Sequence, residues 1–349
     1  MAASGAFRAQ AMACAALDAP FMARALRLIG DRLAAPGALP AALEARLTSW
    51  PGDMSARGDA VPLRLAAGLH ARVLEGVDGD LARHWPAPAG MSDARLWDGL
   101  SRALRRHEAH LLDWLERAPQ TNEVARSAVL IAGAHALGGP LVVSELGAAA
   151  GLNLLFDHWR LEGPGWTRGP QAAPIVLRPD WTGPPPPDRA PRVVSRAGVD
   201  LYPRDPVADR LRLMAYVWAD QPARLARLAT ALRVCARARP PVARANAVDW
   251  LAARLADRHP GACHLVIHTI AWQYFPAADR ARGEALLAEA GARATPDAPL
   301  ARLSMEADGR RDGAALTLTQ WPGGTPCILG RADFHGRWVR WATAIPPAA

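Results

Sequence analysis

Apolar residues recur three and four positions apart through the first third of the chain, and that spacing predicts helices. Leu17, Phe21, Ala25 and Leu28 mark one helix from Ala6 to Leu33, stopped by Pro36, Gly37 and Pro40. A second runs from Val61 to Leu74, with Pro62 early in its first turn. A third starts behind Ser92, a residue suited to accept from the orphan amides of a helix start. Its apolar side is Leu96, Leu100, Leu104, Leu111 and Leu115, and Pro119 closes it. A fourth covers Asn122 to Leu137.

At Gly138-Gly139-Pro140 the pattern changes. Leu141-Val142-Val143 is a short continuous apolar run bounded by turn residues, the signature of a buried parallel strand. Strand-like and helical runs then alternate. Strands are predicted at 192–199, 242–244, 264–270, 300–306, 315–321 and 327–331. Helices are predicted at 207–218, 222–238, 249–258 and 277–290. This alternation predicts an α/β fold: a mostly parallel, doubly wound sheet with an antiparallel edge, preceded by a helical N-terminal region. The domains are then 1–120, helical, and 121–349, holding the sheet. Residues 163–191, rich in Pro and Gly, read as an irregular insertion over that sheet.

Composition narrows the chemistry. The chain has 349 residues, half of them apolar, which is enough for two cores. Its net charge is +8, yet every Lys-or-Arg position is Arg, and these are interleaved with acids as in Arg95, Asp98, Arg102 and Glu108. That is the pattern of solvated helix faces, and it argues against a nucleic-acid surface. Without Lys there is no P-loop, no Schiff-base nucleophile and no kinase strand Lys. Cys14, Cys235, Cys263 and Cys327 lack zinc spacing, and no metal is expected. The N-terminus is amphipathic and no apolar run spans a bilayer, so the expectation is a soluble cytoplasmic protein.

The chemistry is concentrated at Leu141-Val-Val-Ser-Glu145-Leu-Gly147-Ala-Ala149-Ala-Gly151-Leu-Asn153. A strand ends in an acid, a turn of small residues follows, and a helix is expected next. Small residues let a ligand approach the backbone, and a helix start offers free amides. A dinucleotide turn wants a third glycine where Leu152 stands, which argues against nicotinamide. Glu145, Gly147 and Gly151 instead fit an acid-x-G-x-G-x-G pattern that resembles motif I of class I methyltransferases, with Ala149 in the middle place. The alternative is a tight turn that holds no ligand.

That resemblance implies a Rossmann-like methyltransferase fold and S-adenosylmethionine as cofactor, with a small-molecule ligand beside it. By position it implies Asp200, at the end of the next strand, on the ribose hydroxyls. Asn246 and Ala247 would lie near the adenine, where the family usually has Asp. Asn153 completes the cofactor set. His268, Gln273 and Tyr274 would lie at the sheet's ligand edge, His268 and Tyr274 as candidate bases and Gln273 toward substrate. In the dense polar run Pro119–Ser127, Asn122 and Arg126 are candidates for substrate contact and Glu123 for catalysis. The plainer reading of that run is a helix start capped by Thr121.

Four segments together, Gln120–Val124, Glu145–Asn153, Trp218 with Asp220-Gln221, and Trp272–Tyr274, also identify the chain as resembling an uncharacterised bacterial family, domain of unknown function 2332. That resemblance spans roughly 7–341 and implies no activity. The expected function is therefore a methyltransferase of unknown acceptor. The alternative is a methyltransferase-like fold that binds a nucleoside-type ligand or a protein partner without catalysis.

Overall fold

The computed structural model describes residues 2–120 and 122–342; Thr121, the expected helix cap, lies outside them. The chain divides into two compact units, one of 1–121 with 208–229 and one of 122–207 with 230–349. Residues 208–229 thus group with the helices and not with the sheet, as the sequence reading had them.

The helical unit begins with α1 (Ala3–Ala16), α2 (Pro20–Arg32), α3 (Ala41–Thr48), α4 (Val61–Leu74), α5 (Gly79–Ala82), α6 (Asp93–Arg106) and α7 (Glu108–Leu115). The single helix expected over 6–33 is two. Asp18 adopts a left-handed φ of 60°, and Pro20 opens α2, where its missing amide costs nothing. Asp220 supplies the cap that local sequence does not: its Oδ2 accepts from the Phe21 amide at 2.8 Å and the Met22 amide at 3.4 Å. At Gly30 an added Cβ would lie 2.9 Å from the Cβ of Phe7, so glycine there lets α1 and α2 approach closely. Ser92 caps α6 as expected, accepting from the Arg95 amide at 3.3 Å. The helix behind it is also two, because His107 leaves helical geometry (φ −114°, ψ 20°).

The sheet unit opens with α8 (Ser127–Leu137). The chain returns to the helical unit in α9 (Arg210–Ala215), shorter than the helix expected over 207–218, and at the start of α10 (Pro222–Ala238). α11 (Ala247–Ala256) and α12 (Ala277–Ala292) follow. The strands are β1 (Gly139–Leu146), β2 (Arg160–Gly163), β3 (Trp166–Arg168), β4 (Val176–Leu177), β5 (Asp180–Thr182), β6 (Pro191–Asp200), β7 (Val242–Arg244), β8 (Cys263–Thr269), β9 (Leu300–Glu306), β10 (Ala314–Trp321), β11 (Pro326–Ala332) and β12 (Trp338–Trp341).

Nine of these form one mixed, mostly parallel sheet in the order β5-β12-β11-β10-β9-β8-β1-β6-β7. β7, β6, β1, β8 and β9 pair in parallel; β10, β11 and β12 add antiparallel neighbours. The segment expected to be irregular is ordered instead. β2, β3 and β4 make a small sheet of their own, and β5 pairs in parallel with β12. Strands of two or three residues are too short to show alternation in sequence.

Alternation along the longer strands assigns the two faces of the sheet. Leu146, Val199, Val266 and Leu300 cluster with Leu251 and Leu255 of α11 and Leu287 of α12. On the other face α8, apolar except for Ser127 and His135, is buried from Ser127 to Ala136. It comes so close that a Cβ on Gly133 would meet Leu303 at 2.4 Å.

Candidate functional site

From β1 the chain passes to β6 and β7 on one side, then to β8 and β9 on the other. The strand order therefore reverses beside β1, and the crevice at the carboxyl ends of such strands is where open parallel sheets bind ligands. Glu145, at the tip of β1, is 2% exposed. Its Oε2 has no hydrogen-bond partner among the described residues. Burial pushes its carboxyl well above the ordinary value, the charge of Asp200 adds to the rise, and Arg126 and the Leu154 amide offset part of it. Glu145 therefore tends to keep its proton.

The turn that follows is left-handed at three places: Gly147 (φ 75°), Ala149 (φ 50°) and Gly151 (φ 75°). For Ala149 this conformation costs on the order of 1 kcal/mol. Asp200 holds it there by accepting the Ala149 amide at 2.9 Å on Oδ2, while its Oδ1 accepts the Tyr202 amide at 2.8 Å. The Gly147 and Ala148 amides donate to the Val199 carbonyl at 2.9 and 3.0 Å, and Gly151 donates to Ala148 at 2.7 Å. The expected α-helix does not follow. Residues Asn153–His158 form a 3-10 segment, kinked at Leu155. The open helix start predicted for this point is thus a turn whose amides largely serve the protein itself.

The Asn122–Arg126 run braces this edge. Asn122 Oδ1 accepts from the Leu152 amide at 3.2 Å. Glu123 is buried and caps the Ala125 amide at 3.1 Å. The Arg126 guanidinium donates to the carbonyls of Thr269, at the end of β8, and Phe334, at 3.1 and 2.9 Å. Asn153, equally buried, accepts from the Ser127 hydroxyl at 2.8 Å. Glu145, Asp200, Asn122 and Arg126 are therefore brought together at the carboxyl edge.

The other candidates lie elsewhere. Asn246 caps α11 by accepting the Val248 and Asp249 amides, and its amide donates to Asp279 at 2.9 Å. Ala247 is buried in the core below it. His268, expected at the ligand edge, is 1% exposed and engaged at both nitrogens. Arg302 can only donate, at 2.9 Å to Nε2, so Nδ1 carries the proton toward Glu306 Oε1 at 2.7 Å. Burial holds its imidazole below the ordinary value despite Glu306, and the ring stacks on Trp272 at 5.2 Å. It is a neutral structural histidine and is dropped as a base. Gln273 accepts the Ala307 amide at 3.2 Å, and Tyr274 is 72% exposed.

Two groups escaped the sequence reading. One is the Asp333–Gly336 turn, which meets the brace closely enough that a Cβ on Gly336 would lie 2.6 Å from the Ala125 carbonyl. Its only sequence signal is a polar and aromatic cluster, Asp-Phe-His-Gly, between strands. The other is the Arg302–Glu306 pair flanking His268, which alternation reads as one face of an ordinary strand.

A family described as an uncharacterized protein conserved in bacteria (DUF2332) matches residues 4–341. The chain belongs to this family. The family match takes in both compact units. The segments that carried the resemblance hold architectural positions within their own units: Asp220 caps α2, Glu145–Asn153 turns the chain at the sheet edge, and Trp272 stacks on His268. No curated protein matches the sequence. Among the described residues, no helix is long and apolar enough to cross a membrane, and no group of three metal-ligating side chains occurs.

Proposed function

We propose that the chain is a methyltransferase that holds S-adenosylmethionine at the carboxyl edge of its parallel strands. The observation that carries this reading is Glu145: a buried carboxyl with an unpartnered oxygen, at the tip of the central strand where the order reverses. The strand order about β1, with an antiparallel neighbour beyond β9, supports it as a Rossmann-like methyltransferase arrangement.

The residues present suit such a ligand. Glu145, holding its proton, is a donor in a dry environment. Asp200 accepts the Ala149 and Tyr202 amides, one on each oxygen, and the paired oxygens of a carboxylate match the two hydroxyls of a vicinal diol. Bound there, S-adenosylmethionine supplies an electrophilic methyl group. The chain's part is alignment and exclusion of water, which serve a displacement of this kind without covalent help. Glu123 and Tyr274 are the remaining proton acceptors of the original set.

Calorimetric titration of the full chain with S-adenosylmethionine tests the reading. Saturable binding is expected, weakened at least tenfold in Asp200→Asn with the melting temperature tracked alongside. No heat at millimolar ligand rejects it.

A second reading, a nucleoside-type ligand held without transfer, is favoured by the turn amides already spent within the protein and by the missing α-helix. Saturable binding with no methyl transfer to any acceptor supports that reading instead.

A further inference from the structure

Behind the same turn lies a cavity of about 320 Å³ that the cofactor reading leaves unused. This is the size of small-ligand sites, about ten water molecules' worth. One wall is Ala150 of the turn, another the 203–207 loop after β6, and a third the end of α10 running into β7.

The walls are tied to the turn. The Arg204 amide donates to the Ala149 carbonyl at 3.1 Å, and the Cys235 thiol to the Ala150 carbonyl at 3.2 Å. Gly151 is seated so closely on Pro240 and Val242 that a Cβ there would touch both at 3.1 Å. Pro203, Pro206 and Pro240 fix their own φ, so three wall positions resist collapse into the space. The cavity is thus built before any ligand arrives, which lowers the ordering cost of binding.

Its chemistry is two-sided. Prolines, alanines and valines supply an apolar body. Arg204 and Arg239 supply cations from two different walls. Asp205 also lines it, its Oδ1 accepting the Val207 amide at 2.8 Å. Cys235, whose thiol burial pushes up to about 12, adds no charge. By formal charge the lining thus carries two arginines and one aspartate beside its apolar residues.

We infer that this cavity binds a small organic monoanion: a carboxylate, sulfonate or phosphate ester on a compact apolar body, with the anion between Arg204 and Arg239. The inference does not depend on S-adenosylmethionine, and the two are tested by different ligands.

The test uses a fluorescent probe with this chemistry, 8-anilinonaphthalene-1-sulfonate, and its uncharged counterpart N-phenyl-1-naphthylamine. One saturable site is expected for the anion, with the neutral amine at least tenfold weaker. Arg239 stands at a left-handed φ of 44° after α10, so Arg239→Gly removes the charge at a position that favours glycine. That variant should fold, melt at or above the wild-type temperature, and bind the anion at least tenfold more weakly. Arg204→Ala should weaken it in the same direction. Equal binding of anion and amine, unchanged affinity in Arg239→Gly, or no saturable binding at millimolar probe would each overturn the proposal.

Discussion

Two glutamates on the same sheet, Glu145 buried and Glu306 half-buried, behave oppositely. Glu306, at the end of β9, gathers three donors on Oε1: His268 at 2.7 Å and the amides of Ala271 and Trp272 at 3.0 and 3.1 Å. Burial alone would raise its value, but His268 and those amides outweigh it, and Glu306 sits below the ordinary carboxylate value. Both glutamates leave Oε2 without a hydrogen-bond partner among the described residues, but Glu145, at the end of β1, has the Asp200 charge beside it and no such group of donors, and it sits well above. Donor supply together with depth decides which of the two is charged. Glu306 is spent on holding His268 and two amides, while Glu145 tends to keep its proton.

The largest effect that sharpens this contrast is at Glu306. Glu306→Ala orphans His268 and two amides at once, and should destabilise the chain by about 3 kcal/mol in urea melts at neutral pH. A folded value below the unfolded one makes this stability full above the unfolded carboxylate value. It is lost as pH falls through the folded value, so variant and wild type should converge in strong acid. A loss under 1 kcal/mol at neutral pH breaks the comparison.

Glu145 should show the reverse dependence. The folded chain keeps a proton that the unfolded chain has released, so this stability is full below the unfolded value, near 4.5. It declines as pH rises toward the raised folded value, by about 1.4 kcal/mol for each unit between them. Glu145→Gln keeps the shape without the proton. Its stability relative to wild type should therefore climb from pH 5 to pH 8; parallel curves would show that Glu145 is ionised in the fold.

The smallest effect lies beside it. Ala149→Gly relieves a left-handed alanine and should add about 1 kcal/mol to stability, read as a raised urea midpoint. A lowered midpoint would mean that the alanine methyl packs more than its backbone strains.

Much of the fold was legible as pattern. α4 and α10 run over the residues that helical spacing marked, and β7 and β9 over those that apolar runs marked. Local rules of period and turn residue suffice where an element is long or sharply bounded. They missed the break at Asp18, because left-handed backbone at a non-glycine leaves no trace in hydropathy. They missed β12 and the pairing of β5, because short strands exist only through their partners. At the candidate site one strand-turn signal marked the turn and the acid before it, and Asp200 was marked separately, as the acid ending the next strand. They placed His268 at the ligand edge, where a histidine on a strand can face either way.

The sequence alone determined that the chain alternates strand and helix after a helical start, that Lys-dependent chemistry is absent, and that β1 ends in an acid followed by small residues. Tertiary structure alone decided which polar groups are already satisfied. Asp220 reaches a helix 198 positions away, Arg302 and Glu306 claim both nitrogens of His268, and Asp200, expected on ribose hydroxyls, holds the Ala149 turn. Propensity and period are local and are written residue by residue. Hydrogen-bond satisfaction depends on what the fold brings within about 3 Å, and no window along the chain contains that distance.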